Sequence, residues 1–176
     1  MREKKIKNTT LRIIRDDITL LDVDAFVFYA QSDLELGSGV GNAIAQRGGP
    51  AVKDALKGKG PLSTGQAIAT TAGDLKASFI VHAMGPRFQE ANMESKLEAT
   101  MRSVLSCAQK KGVKRLALPP LGHGFYGVPL ELSARVTLRA LGEHLKNGSA
   151  LNEVVLCMTD ERQAPPFEKQ LDALVG

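Results

Sequence analysis

The sequence predicts an α/β domain, a three-layer α/β/α sandwich with a mixed central sheet. Short β-type apolar runs alternate with amphipathic helical segments along the chain, the pattern of strands covered on both faces by helices. One pair of runs is separated by a turn at Gly73 and Asp74, which implies an antiparallel pair in an otherwise crossover-connected set. Two glycine loops fall between a strand and a helix, where open α/β sheets carry their ligands. At 176 residues and 43% hydrophobic, the chain has the size of one domain with a substantial core.

Leu11 to Arg15 is a short β-type run stopped by Asp16 and Asp17, and Ala25 to Ala30 (AFVFYA) is a continuous apolar run, expected to be covered on both faces. Val40 to Gln46 reads as a short helix closed by Gly48 and Gly49, and Pro50 opens another through Leu56, since proline is tolerated in a first helical turn. Lys57 to Thr64 is irregular. Ala67 to Ala72 and Ser78 to Met84 form the expected antiparallel pair.

Asn92 is placed to cap a helix carrying Leu97, Met101, Val104, Leu105 and Ala108 on one face, with Gly112 as its stop. Lys114 to Leu121 is the next strand. After the loop that follows, Leu130, Ala134, Leu138, Leu141 and Leu145 recur at helical spacing up to Gly148. Glu153 to Thr159 is a last strand, and Pro166 begins a last helix with Phe167, Leu171, Leu174 and Val175 expected inward.

Of the net charge of +4, Arg2, Lys4, Lys5 and Lys7 against Glu3 place three units in the first seven residues, so residues 1–10 read as a basic N-terminal arm ahead of a single domain over residues 11–176. Such a segment is a nucleic-acid footprint, a solvated tail or the guard of an edge strand. No basic helix or basic-aromatic stripe supports nucleic acid as a partner. Cys107 and Cys157 fall in apolar segments, as small buried hydrophobes rather than a disulfide. No apolar run approaches the ~20 residues that span a bilayer and no N-terminal segment resembles a signal peptide. The expectation is a soluble cytoplasmic protein with no membrane partner.

The first glycine loop is LELGSGVGNAI, Leu34 to Ile44, and the second is GHGFYG, Gly122 to Gly127. Glycines let successive backbone N–H groups converge on one anion, and a following helix adds its positive end. Either loop alone is also ordinary turn chemistry. Neither contains G-x-x-x-x-G-K-[ST], which excludes a P-loop. GHGFYG matches G-x-G-x-x-G literally, but it follows a late strand, holds bulky Phe125 and Tyr126, and puts the expected ribose-binding acid at Glu143, inside a helix. Two phosphate-capable loops remain, one with an aromatic pair that can cover a sugar or base. That combination describes a pocket for an ADP-like molecule.

The order of motifs, DDIT, then DAFVFYAQSDLELGSGVGNAI, then TGQAIATTAGDLKASFIVHAMGP, then LALPPLGHGFYGVP, resembles the macrodomain family, from about Asp16 to the last strand. Members bind ADP-ribose, and some branches remove it from proteins. The resemblance implies the three-layer fold, ADP-ribose or an ADP-ribosylated protein as partner, and no cofactor. Asp17, with Ile18 beside it, would accept a hydrogen bond from the adenine amine, a choice suited to an acceptor-only carboxylate. Gly37, Ser38, Gly39 and Val40 would lie near the diphosphate and distal ribose. Gly122, His123, Gly124, Phe125 and Tyr126 match the second loop, with Tyr126 against the distal ribose.

The chain departs from the family where an N-A-A-N motif is usual: it has Phe28, Tyr29, Ala30 and Gln31, so Gln31 stands for the asparagine of active members. A hydrolase branch carries an acid where this chain has Gly41. An amide cannot serve as a base near neutral pH, so Gln31 could only hold a ribose hydroxyl or a water. Asp33 and Glu35 in the first loop are further acids near it, and His123 is the best general base by type. The catalytic candidates are therefore Gln31 and His123. His82 and His144 fall in a strand and a helix without H-x-x-x-H or C-x-x-C spacing, and no bound metal is expected.

Three readings stand: binding of ADP-ribose or a related adenine nucleotide at the strand ends; hydrolysis of an ADP-ribosyl bond or of ADP-ribose 1''-phosphate; and an RNA-binding or scaffold protein using the basic N-terminus.

Overall fold

The computed structural model describes residues 2–175. Met1 and Gly176, the outer ends of the two expected segments, lie outside the described residues. Among the described residues, seven strands form one sheet in the order β1-β2-β7-β6-β3-β5-β4. They are β1 (Arg2–Ile6), β2 (Thr9–Arg15), β3 (Ala25–Tyr29), β4 (Gln66–Thr71), β5 (Phe79–Met84), β6 (Arg115–Leu118) and β7 (Glu153–Met158). β2, β7, β6, β3 and β5 are parallel neighbours, while β1 and β4 pair antiparallel at the two edges. The expected β4–β5 pair is present, with Gly73 in the left-handed region at φ 58° between the strands.

The helices are α1 (Val40–Gly48), α2 (Pro50–Leu56), α3 (Met93–Lys110), α4 (Leu130–Lys146) and α5 (Ala164–Ala173). They divide between the two faces, giving two cores. One face packs Ile44 of α1 and Val52 and Leu56 of α2 against Phe26 of β3 and Ile80 of β5. The other packs Leu97, Met101 and Val104 of α3, Leu138 and Leu141 of α4 and Phe167 and Leu171 of α5 against Val27, Leu116 and Val154. β3 reads as an unbroken apolar run because successive side chains serve opposite cores.

Three local expectations change. The basic N-terminus is no separate arm over residues 2–6: it is the edge strand β1, and the guard role is the one observed. Arg2 pairs with Asp172, and the Lys4 ammonium donates to the carbonyls of Leu171 and Leu174 at the end of α5, where cations suit the helix dipole. Asn92 precedes α3 in the left-handed region, φ 56°, and makes no side-chain cap bond; its carbonyl instead accepts from the Ser95 hydroxyl. Val175 is 72% exposed rather than inward, because α5 stops at Ala173 and the chain turns extended at Leu174.

Among the described residues, no helix is long and apolar enough to cross a membrane.

Candidate functional site

The carboxyl ends of four parallel strands meet at one cleft of about 470 Å³. Asp16 and Ile18 follow β2, Gln31 and Leu36 to Val40 follow β3, residues of the Pro119–Tyr126 segment other than Leu121 and Gly124 follow β6, and Thr159 follows β7. The chain after β3 runs to helices on one face and the chain after β6 to α4 on the other. The cleft therefore opens at the crevice between adjacent strands whose connections diverge.

Both glycine loops line it. In the first, Gly37 and Gly39 adopt positive φ, 70° and 62°, which turns the chain into α1. The Ala43 N–H bonds Gly39 O at 3.1 Å; ahead of it the N–H groups of the first helical turn have no partner within the helix and are free for an anion. In the second, Val128 N–H bonds Gly122 O at 2.9 Å and Gly127 N–H bonds Gly124 O at 3.0 Å, fixing a tight loop. A Cβ at Gly122 would lie 2.9 Å from Val128 Cβ and 3.1 Å from Tyr29 Cζ, so only glycine fits.

Ile18, Gln31, Gly37, Ser38, Gly39, Val40, Gly122, His123, Phe125 and Tyr126 all line the cleft. Gly124 does not; it sits exposed at the loop tip. Asp17 lies in an adjoining hollow with Arg15 and Ala43, which shares Asp16, Ile18, Gly39, Val40 and Thr159 with the main cleft. Asp33 and Glu35 line a separate groove with Lys53 and Lys57.

The Asp17 carboxylate is held firmly. Its Oδ1 accepts from the Thr19 N–H at 2.9 Å and the Thr19 hydroxyl at 2.7 Å, and its Oδ2 accepts from Arg47 Nη1 at 2.6 Å. Burial raises its pKa, but the Thr19 and Arg47 bonds outweigh burial and leave it below the usual aspartate value.

An aromatic cluster of Tyr29, Phe125 and Tyr126 lines part of the cleft. The Tyr29 ring lies 5.2 Å from that of Tyr126, and its hydroxyl donates to Pro86 O. A Cβ at Gly85 would lie 2.5 Å from Tyr29 Cζ, so a glycine on the neighbouring strand end makes room for the phenol. Burial raises the Tyr29 phenol above its ordinary value, and the ring is a wall rather than an acid or base. The Arg87 guanidinium lies 5.1 Å from the Tyr126 centroid on its own side, within cation–π range. Phe125 is 93% exposed at the rim.

Gly41 has a structural reason. A side chain there would fall on the Leu36 carbonyl, its Cβ 2.5 Å from the carbonyl carbon. The backbone at Leu36 fills the space that any side chain at position 41 would need. Gln31 Nε2 approaches Gly37, at 3.0 Å from where a Cβ would stand. His123 is exposed, and its backbone N–H bonds Pro120 O at 3.2 Å.

Sequence reasoning missed Asp16, Pro119, Pro120, Cys157 and Thr159 in the lining. The signal available was positional, since each sits at or just after the end of a parallel strand. The Cys157 thiol is pushed up to about 12, chiefly by burial, and donates to Asp16 O at 3.3 Å. It forms the floor and is not a nucleophile.

The model of the Macro domain family matches residues 29–137. A macro domain-containing protein of Streptomyces griseus is 42% identical over 170 residues, covering 92% of this chain and 94% of that protein. A Salmonella gallinarum protein named O-acetyl-ADP-ribose deacetylase is 34% identical, covering 92% and 93%. Among solved structures, the Oceanobacillus iheyensis macrodomain with ADP has a TM-score of 0.91 at 26% identity, covering 98% of this chain and 95% of that one. A variant of the same protein with ADPR has a TM-score of 0.90. This chain belongs to the macrodomain family.

Proposed function

We propose that this protein binds ADP-ribose in the cleft at the strand ends. The observation that carries the reading is the convergence of the two glycine loops, from β3 and β6, on one cleft that Tyr29, Phe125 and Tyr126 line and that adjoins the hollow holding the Asp17 carboxylate. Asp17 accepts from the adenine amine, the loop Gly37 to Val40 and the second loop with Gly122 and His123 surround the diphosphate, and Tyr126 with Gln31 bounds the terminal ribose. The O. iheyensis macrodomain solved with ADP and with ADPR supports the ligand class. Calorimetric titration of ADP-ribose tests it: saturable micromolar binding is expected, lost in Asp17→Ala with the fold intact. No heat and no thermal shift in the folded wild type would refute it.

Hydrolysis of an ADP-ribosyl bond is the second reading; the likeness to the Salmonella gallinarum protein named O-acetyl-ADP-ribose deacetylase supports hydrolytic chemistry on an ADP-ribosyl compound. Here it would rely on His123 as base, with Gln31 holding a water, since position 41 has no room for a carboxylate. Release of ADP-ribose from a modified protein, lost in His123→Ala with binding retained, supports turnover. Binding without release assigns the cleft to recognition.

A further inference from the structure

Asp17 belongs to a closed ring of hydrogen bonds joining two elements. Arg47 Nη1, from the last turn of α1, donates both to Asp17 Oδ2 and to Thr19 Oγ1, each at 2.6 Å. The Thr19 hydroxyl in turn donates to Asp17 Oδ1, and Thr19 is buried. The donors balance: the two Nη1 hydrogens go to two acceptors, and the one hydroxyl hydrogen goes to a third. An ionised carboxylate offers about four acceptor positions. Thr19 takes the two on Oδ1 and Arg47 one on Oδ2, leaving one.

The ring also ties together the two elements that bound the hollow Asp17 lines. That hollow is bounded by the end of β2 and the 3-10 turn Ile18–Leu20 on one side and by Gly39, Val40 and Ala43 on the other. Arg47, two short helical turns after Val40, ties the second wall to the first. A free carboxylate on a loop would rotate and lose definition of its remaining lone pair; this one cannot.

We propose that Arg47 is a positioning residue for base recognition: with Thr19 it clamps Asp17 so that a single Oδ2 lone pair is presented, ionised and at fixed direction, to the exocyclic amine of the nucleobase. The inference rests on the ADP-ribose reading above. Arg47 touches no part of the main cleft and acts through Asp17. The other charged or titratable groups around Asp17 are Asp16 and Arg15 at the same strand end, Arg15 being paired with Glu161 at 3.2 Å, and the Cys157 thiol of β7. None of them replaces the Arg47 contact. Without the guanidinium, burial works against ionisation with only Thr19 to oppose it.

The experiment is calorimetric titration of ADP-ribose into wild type, Arg47→Met and Arg47→Lys between pH 4.5 and 8, with thermal unfolding as the folding control. At pH 7.5, Arg47→Met is expected to bind roughly tenfold more weakly, the scale of one charge-assisted hydrogen bond. Arg47→Lys is expected to recover most of that loss. The acid limb of the binding profile is expected to begin at a higher pH in Arg47→Met than in wild type, which a purely structural role would not produce. Unchanged or tighter binding by folded Arg47→Met, or identical acid limbs, overturns the clamp while leaving the ADP-ribose reading intact. Absence of wild-type binding overturns both. The carboxyl carbon-13 titration of Asp17 in the wild type decides the matter should Arg47→Met not fold: a midpoint below the ordinary aspartate range supports the clamp, and an ordinary midpoint overturns it.

Discussion

His82 is completely buried in β5, its Nε2 2.9 Å from the Thr70 hydroxyl and its Nδ1 without a hydrogen-bond partner. The edge of the Phe28 ring closes one side at 6.1 Å. A charge there would be taken out of water with no anion beside it, and burial lowers the pKa from 6.5 to about 4. The folded protein holds a neutral imidazole where the unfolded chain takes up a proton, so stability is full above 6.5 and declines as the pH falls toward 4. At about 1.4 kcal/mol per pH unit across that interval, the loss approaches about 3 kcal/mol. Urea unfolding at pH 7.5, 6.0, 5.0 and 4.5, on wild type and His82→Gln, measures it, since the amide can keep the Thr70 bond without titrating. The wild-type curve should fall away from that of the variant below pH 6.5. Parallel curves, or a His82 resonance titrating near 6.5 in the folded protein, would refute the argument.

Two further outcomes follow from packing. Gly41→Asp should cost on the order of 3 kcal/mol or more in urea unfolding, because the Leu36 carbonyl must move to admit a Cβ, and it should not introduce turnover; a stable, active variant would contradict the steric reading. Tyr29→Ala removes a buried ring and its bond to Pro86, at a cost of about 3–5 kcal/mol. Where it remains folded at low temperature, ADP-ribose affinity should change while ADP affinity does not, since the proposed binding mode puts the terminal ribose at Tyr126, whose ring packs on Tyr29; equal changes for both ligands would place it elsewhere.

The layered fold was legible because strand and helix periodicities here agree with burial on both faces. The five helices and six of the seven strands lie where those periods put them. β1 escaped, since REKKI has no β-type alternation of its own: its lysines and arginine are placed by the partner strand β2 and by the C-terminal end of α5. Val175 escaped for the opposite reason, an apolar residue of the right period whose helix had already ended.

For the site, residue type and order along the chain pointed by themselves to the two glycine loops with positions 37, 39 and 122, while the roles expected of Asp17, Tyr126 and position 41 came from the family resemblance. The glycines are local requirements of backbone conformation, readable one loop at a time. Only the tertiary structure decided which loops share a cleft, that Leu36 excludes a side chain at Gly41, that Gly85 admits Tyr29, and that Arg47, thirty residues from Asp17, completes its ring of hydrogen bonds. Each of those is a meeting of strand ends or helices far apart in sequence, and no pattern within a single segment encodes the distance between them.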